Sequence, residues 1–235
     1  AYPRRKPMRN VKIDQASRIG RKIALYCIAT NHGVIELKKS AEIIKGANFN
    51  VTPSISGMVS EHNIVDSYYE IQKQDLPIFT NYLGVFVRVI MNSDSSDDPN
   101  LLVGEMLLDS TLSNNESFRI FIRNAGTPRF RLGTDDSGMT NLDAAESWGA
   151  GDVVDFFFEY NGTEMSIFKD AIKVISTPKT GVVIASVGSL RVGEGLAGDS
   201  QAFTDIMEVA VFNTRVHDSE KLALHNNPYQ FLIPA

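Results

Sequence analysis

The stretch DFFFEYNGTEMSIFKDAIKVI, Asp155 to Ile175, decides how the chain is read. Two apolar runs of similar length flank Asn161-Gly162, and this dipeptide is the strongest short-range signal for a β-hairpin, because a type I′ turn needs positive φ at both central residues. With Asn161 and Gly162 as the turn, Tyr160 should pair with Thr163, Phe158 with Met165 and Phe156 with Ile167. Those residues make one aromatic and aliphatic face by the period of two. The other face carries Asp155, Phe157 and Glu159, then Glu164, Ser166 and Phe168, with Glu159 expected opposite Glu164. Like charges across a strand pair are destabilising, so this face should meet water or a cationic neighbour.

Further strand-like runs extend in both directions: KIALYCIAT, LGVFVRVIM, LVGEMLL, SFRIFIRN, PRFRLGT, GVVIASVGSLRVG and DIMEVAVFN, with turn chemistry between them. The clearest helix is Asp218 to Asn227, where Asp218 or Ser219 can cap the N-terminus and Pro228 ends it. Many short strands with one late helix indicate two antiparallel sheets packed face to face. At 235 residues and 43% hydrophobic, the chain can bury a substantial core as one domain. There is no internal repeat, heptad or low-complexity linker, and no apolar run approaches a membrane span.

Several segments resemble one known family, the concanavalin A-like, laminin G type jelly roll. WGAGDVVDFFFEYNGTEMSIFKDAIKV is similar to that family's Trp-led strand, its xYDGT turn and its return strand. LRVGEG, followed by FTDIMEVAVFNTRVHDSEKLALHNNPYQFL, resembles the family's ending, and ASRIGRKIALYCIATNHG and NPYQFLIP resemble the opening and closing segments of such domains in phage and prophage sequences. The resemblance implies an all-β, two-sheet antiparallel jelly-roll sandwich over residues 23–235, with one short C-terminal helix. Lys169-Asp170-Ala171 stands where the family prefers an Asn/Asp-Gly turn, so a different loop is expected there.

Hydrolases of this architecture carry Glu-x-Asp-x-(x)-Glu along one strand, which places paired carboxylates on one face. The nearest match, Phe203 to Glu208, has Phe203 in the first acidic position, and simple alternation sends Asp205 and Glu208 to opposite faces. The lone Cys27 sits in an apolar run, and His32, His62, His217 and His225 show no triad or zinc spacing. No enzymatic activity is expected on these grounds. Nor is a resident cofactor, although calcium suits the hard oxygen ligands of Asp94, Asp97 and Asp98 in MNSDSSDDPN, or of Asp135 and Asp136 in GTDDSG. The bland reading of both loops is a solvated acidic turn. The single Trp148 is expected to be buried at the sandwich edge rather than open for sugar stacking.

Two charged features remain. Residues 1–22 hold eight of the 23 Lys/Arg and one of the 28 Asp/Glu, which leaves 15 basic against 27 acidic residues in the remainder. This basic N-terminal arm, with Arg4, Arg5, Lys6, Arg9 and Lys12, would either anchor on a separate acidic surface or fold back on its own domain. The second feature is SFRIFIRNAGTPRFRLG, a hairpin whose alternation puts Arg119, Phe121, Arg123, Arg129 and Arg131 outward. That face would serve a protein or glycan partner, or would neutralise Glu159 and Glu164 from a neighbouring position. With no secretory h-region near AYPRRKPMRN, assembly in a host cytoplasm is expected, and the sequons at Asn115 and Asn161 then carry no meaning. The expectation for function is a virion structural protein of a tailed phage, decorating or cementing capsid or tail, with no nucleic-acid or membrane partner and an oligomeric state in the particle. The alternative is a glycan-binding adhesin module that recognises host-surface carbohydrate.

Overall fold

Strands dominate the computed structural model, which describes residues 11–30, 33–38, 42–45, 47, 49–54, 57–61, 68–91, 100–105, 117–123, 127–185, 188–193 and 204–234. A nine-stranded sheet holds β2 (Ile23–Thr30), β3 (Gly33–Glu36), β5 (Asn50–Ser54), β6 (Gly57–Glu61) and β8 (Leu83–Met91) together with β13 (Val153–Tyr160), β14 (Glu164–Lys169), β15 (Ile172–Pro178) and β17 (Thr204–Phe212). Its main path runs β15-β14-β13-β8-β17-β2-β3, with β6 joined to β17 and β5 to β6. A seven-stranded sheet holds β4 (Ile43–Lys45), β7 (Tyr69–Ile71), β9 (Asn100–Glu105), β10 (Phe118–Arg123), β11 (Thr127–Thr134), β12 (Gly138–Asp143) and β16 (Leu190–Val192), in the order β12-β11-β10-β9-β16-β7-β4. All the pairings are antiparallel. This is the all-β sandwich that the sequence predicts.

The core follows from alternation. Val85, Val87, Val89, Phe156, Phe158, Tyr160, Met165 and Ile167 of one sheet meet Phe118, Ile120, Ile122, Phe130, Leu132 and Leu142 of the other, all of them buried. Burying each such side chain contributes roughly 1.5–3 kcal/mol, so this layer dominates stability. Cys27 is buried in the same layer, and Trp148 packs partly buried against it with its ring 6.1 Å from Phe156.

The hairpin expected at Asn161-Gly162 forms, but one residue further along. Gly162 and Thr163 are the turn, with Gly162 at φ +92, while Asn161 N–H donates to the Glu164 carbonyl at 3.1 Å. The Asn161 side chain accepts from the backbone of Thr163 and Glu164, both at 3.0 Å, which explains why Asn precedes rather than starts the turn. Tyr160 therefore pairs with Met165, Phe158 with Ile167 and Glu159 with Ser166, not with Glu164. Because both strands shift together, the two faces keep the expected residues.

The outer face of the nine-stranded sheet is covered. Helix α1 (Asp218–Asn226) and two terminal strands, β1 (Val11–Ile13) paired with β18 (Leu232–Pro234), lie over it. A second apolar cluster joins Ile13, Ile19, Val216, Leu224, Tyr229 and Phe231 of these segments to Tyr26, Phe86, Phe157, Phe168 and Phe212 of the sheet. The helix cap differs from expectation: His217 is the N-cap, and Glu220 accepts from its backbone N–H at 2.7 Å. Among the described residues, no helix is long and apolar enough to cross a membrane.

Candidate binding face

Of the residues set apart as a basic arm, Arg4, Arg5, Lys6 and Arg9 lie outside the described residues. From Val11 onward the segment belongs to the domain. Lys12 is exposed within β1, whereas Arg18 and Lys22 both reach Glu220, at 2.8 and 2.7 Å. The latter two cations therefore serve the fold.

The second charged feature lies on the other side of the molecule. With Phe118, Ile120, Ile122, Phe130 and Leu132 in the core, Arg119, Phe121, Arg129 and Arg131 point outward from the seven-stranded sheet, all half-buried. Arg123 closes the hairpin opposite Thr127. Across the sheet, register places Asn141, Arg131, Arg119, Gly104, Arg191, Glu70 and Ile44 in one row. Arg119 and Arg131 are direct cross-strand partners. Arg191 is a member of this site that sequence reasoning missed; its alternation with buried Leu190 and Val192 was the available signal.

The remaining contacts fix how these cations stand. Arg129 and Asp143 make a two-pronged ion pair, whose hydrogen bonds raise the guanidinium pKa above its ordinary value, and the Arg129 head lies 5.5 Å above the Phe121 ring. Arg191 lies 3.9 Å above the Tyr68 ring, and its Nη2 is 3.1 Å from Glu70. Planar guanidinium groups held by rings and carboxylates lose little further freedom when they bind a carboxylate.

This face does not neutralise Glu159 and Glu164, as one reading expected, because the two hairpins lie in different sheets. The cations come from elsewhere: Lys221 of α1, its ammonium over the rings of Phe157 and Phe168, donates to Glu159 at 2.7 Å, and Lys173 donates to Glu164 at 2.8 Å. Tyr82 O–H also donates to Glu159, at 3.0 Å. Burial, then the Glu159 charge, pushes the Tyr82 pKa far up.

Beside this pair is a buried ionic cluster that the sequence did not suggest. Arg88 is the register partner of both Asp155 and Glu208. It holds Asp155 with two hydrogen bonds and donates to the His225 carbonyl at 3.0 Å. Burial works against the Arg88 charge, but its bonds to Asp155 outweigh that and raise its pKa. Tyr26 O–H donates to Glu208, and His225 Nδ1 is 2.7 Å from Asp155. Its hydrogen bond with Asp155 raises the His225 pKa above 6.5, with burial opposing.

The acidic positions weighed for catalysis or metal find other roles. A bulge around Met207 breaks the alternation in β17, so Asp205 and Glu208 share the outer face instead of opposing one another. Glu208 is 1% exposed, sealed beneath the terminal segments. Asp136 accepts from Thr180, Ser137 and Thr134, which lowers its pKa, the Thr180 bond most of all, and Asp135 accepts from Val182 N–H at 2.8 Å. These carboxylates pin two loops together. Asp94, Asp97 and Asp98 lie outside the described residues. Asp155, Asp170 and His225 offer ligand atoms within 4.8 Å of one another, yet both Asp155 oxygens already face Arg88, a poor neighbour for a cation.

No protein-family model matches the chain, and no curated protein matches it. Solved structures do. The binding domain of Paraclostridial Mosquitocidal Protein 1 aligns with a TM-score of 0.73 at 10% identity, over 89% of this chain and 53% of that one. The binding domain of botulinum neurotoxin serotype G aligns with a TM-score of 0.68 at 10% identity, over 86% and 50%. A third, the binding domain of botulinum neurotoxin DC solved in complex with SialylT, gives 0.65 at 10% identity, over 88% and 51%. At such identities the likeness is one of fold: this chain is an all-β sandwich that spans about half the length of those domains.

Proposed function

We propose that this chain is a non-enzymatic attachment module, a structural component of a tailed-phage particle, which holds its partner on the outer face of the seven-stranded sheet. One observation carries the reading. Among the described residues the two outer faces differ: helix α1, β1 and β18 cover that of the nine-stranded sheet, whereas the other carries half-buried Arg119, Phe121, Arg129 and Arg131. Arginine and aromatic side chains grouped on one face have the composition of interface anchors. The phage setting is supported by the motif resemblance of the opening and closing segments. In that setting Arg4, Arg5, Lys6, Arg9 and Lys12 add cations for docking on an acidic capsid or tail surface.

A second reading, a glycan-binding adhesin, is favoured by one neighbour of this fold, the toxin binding domain solved with SialylT. Particles assembled with Arg119→Glu/Arg131→Glu protein separate the two. Loss of the variant from purified particles supports attachment through this face. Full retention, together with wild-type binding on a glycan array that the same variant loses, favours the adhesin.

A further inference from the structure

The dipeptide Asn161-Gly162 shapes the hairpin and also carries chemistry of its own; it is the one Asn-Gly pair in the chain. The turn requires its glycine: Gly162 stands at φ +92, and a Cβ there would meet the Asn81 carbonyl oxygen at 3.1 Å. Glycine leaves its amide nitrogen unshielded by a side chain, and among the described residues that N–H donates to no other group. The side-chain amide of half-buried Asn161 is held by its oxygen alone. Oδ1 accepts from Thr163 N–H, Thr163 Oγ1–H and Glu164 N–H, each at 3.0 Å, whereas Nδ2 has no partner among the described residues. Two of these donors are backbone N–H groups, which fixes the end of the amide they face as the oxygen. Three donors on one carbonyl oxygen polarise Cγ, and they stand at the distance from which an oxyanion is stabilised.

We propose that Asn161 is a site of self-modification, a deamidation centre for which the hairpin turn supplies the oxyanion donors. The Gly162 nitrogen loses its proton to water and attacks Asn161 Cγ, and negative charge gathers on Oδ1 against Thr163 and Glu164. The Cγ–Nδ2 bond then breaks, and Nδ2 takes a proton from water and leaves as ammonia. One water opens the resulting succinimide ring. Attack at the carbonyl that contains Oδ1 restores an ordinary backbone with an aspartate side chain, whereas attack at the main-chain carbonyl gives isoaspartate. The three donors polarise the first of these, so aspartate is the favoured product. That carboxylate keeps the same three contacts as charge-assisted bonds, which are stronger than those of the amide. The hairpin tip therefore gains one negative charge with age and keeps its register.

The test is ageing of the purified full chain at mildly alkaline pH, folded and in denaturant, read by peptide mass spectrometry that separates aspartyl from isoaspartyl products. The expected result is conversion at Asn161 that is faster in the folded chain than in denaturant. Aspartate should be the main product when folded, and isoaspartate should gain in denaturant, where the donors are lost. Thr163 is exposed, so Thr163→Val deletes one donor without disturbing a buried contact. It should slow the folded reaction about fivefold, the rate equivalent of one hydrogen bond, and leave the rate in denaturant unchanged. Thr163→Ser, which restores the hydroxyl, should recover the folded rate. Slower conversion in the folded chain than in denaturant would mean that the three bonds immobilise the side chain instead of activating it, and overturns the proposal. An unchanged folded rate in Thr163→Val, at an unchanged unfolding midpoint, overturns it as well.

Discussion

Ala171 holds its backbone at φ +67, beside Asp170 at φ +50, so the two-residue turn between Lys169 and Ile172 is left-handed at both positions. A turn of this kind favours glycine at such positions, and here it is made without one. A left-handed conformation costs an L-residue about 1–2 kcal/mol, while glycine would lose roughly 0.5–1 kcal/mol through the freer unfolded chain. Ala171→Gly should therefore stabilise the fold slightly, by up to about 1 kcal/mol, read as a higher urea midpoint; a lower midpoint would mean that the Ala171 methyl contributes packing that outweighs the strain. Asp170 is kept for a reason that lies off its own turn: its carboxylate accepts from Asp155 N–H at 3.1 Å and is 3.9 Å from His225. His225 faces Asp155, Asp170 and Arg88, and its folded pKa is raised. Its contribution to stability is therefore complete below its ordinary value of 6.5 and lost as pH rises through the higher folded value. Unfolding midpoints measured from about pH 6 to 9 should fall for the wild type and stay flatter for His225→Gln; parallel profiles would exclude the coupling.

At the scale of elements, α1 is attached as much by charge as by apolar contact. Lys221 is buried beneath it with Glu159, both nearly inaccessible to water, and its ammonium lies 3.8 Å from the Phe168 ring. Removing one partner leaves the other charge buried, so Lys221→Met should destabilise by about 3–5 kcal/mol, and adding Glu159→Gln should recover much of the loss. Chemical denaturation of the two single variants and the double one measures this coupling; additive losses would show that the pair does not act as a unit. The sequence displayed that Glu159 needs a cation, but not which one, since Lys221 is 62 residues away. The same limit runs through the fold. Long runs such as β8, β13 and β17 were legible from their apolar content, whereas β4, β7 and β12 are short or polar and form through pairings of β4 with β7, β7 with β16 and β12 with β11 that a local reading does not see. The outward arginines of β10 and β11 were legible because alternation is local; Tyr68, Glu70, Asp143 and Arg191 complete that face through pairings that no local pattern encodes. The hairpin slipped by one residue because Asn161 can bond to the turn from outside it, a choice that periodicity does not see.

For the whole molecule, the two ends of the chain act on one face, and this changes how the basic segment must be tested. Val11 pairs with Pro234 and Ile13 with Leu232, while Asp14 N–H donates to the Phe231 carbonyl at 2.7 Å. Ile13 and Ile19 are buried in the outer cluster, and Arg18 and Lys22 hold Glu220, whose side chain is 5% exposed. Deleting residues 1–22 therefore strips apolar cover from Phe231 and its neighbours and leaves Glu220 without its two cations, a loss on the order of several kcal/mol. Deleting residues 1–10 stops before β1 and removes Arg4, Arg5, Lys6 and Arg9 alone. The longer deletion should lower the unfolding temperature by about 10 °C or more; where the shorter one leaves it within about 2 °C of wild type, its effect on particles is free of that loss. Only the shorter deletion then reports on attachment. If it lowers the amount of protein recovered with particles at unchanged stability, the first ten residues anchor; if recovery is unchanged while Arg119→Glu/Arg131→Glu protein is lost, the sheet face holds the partner and the terminal cations of the described segment serve the fold.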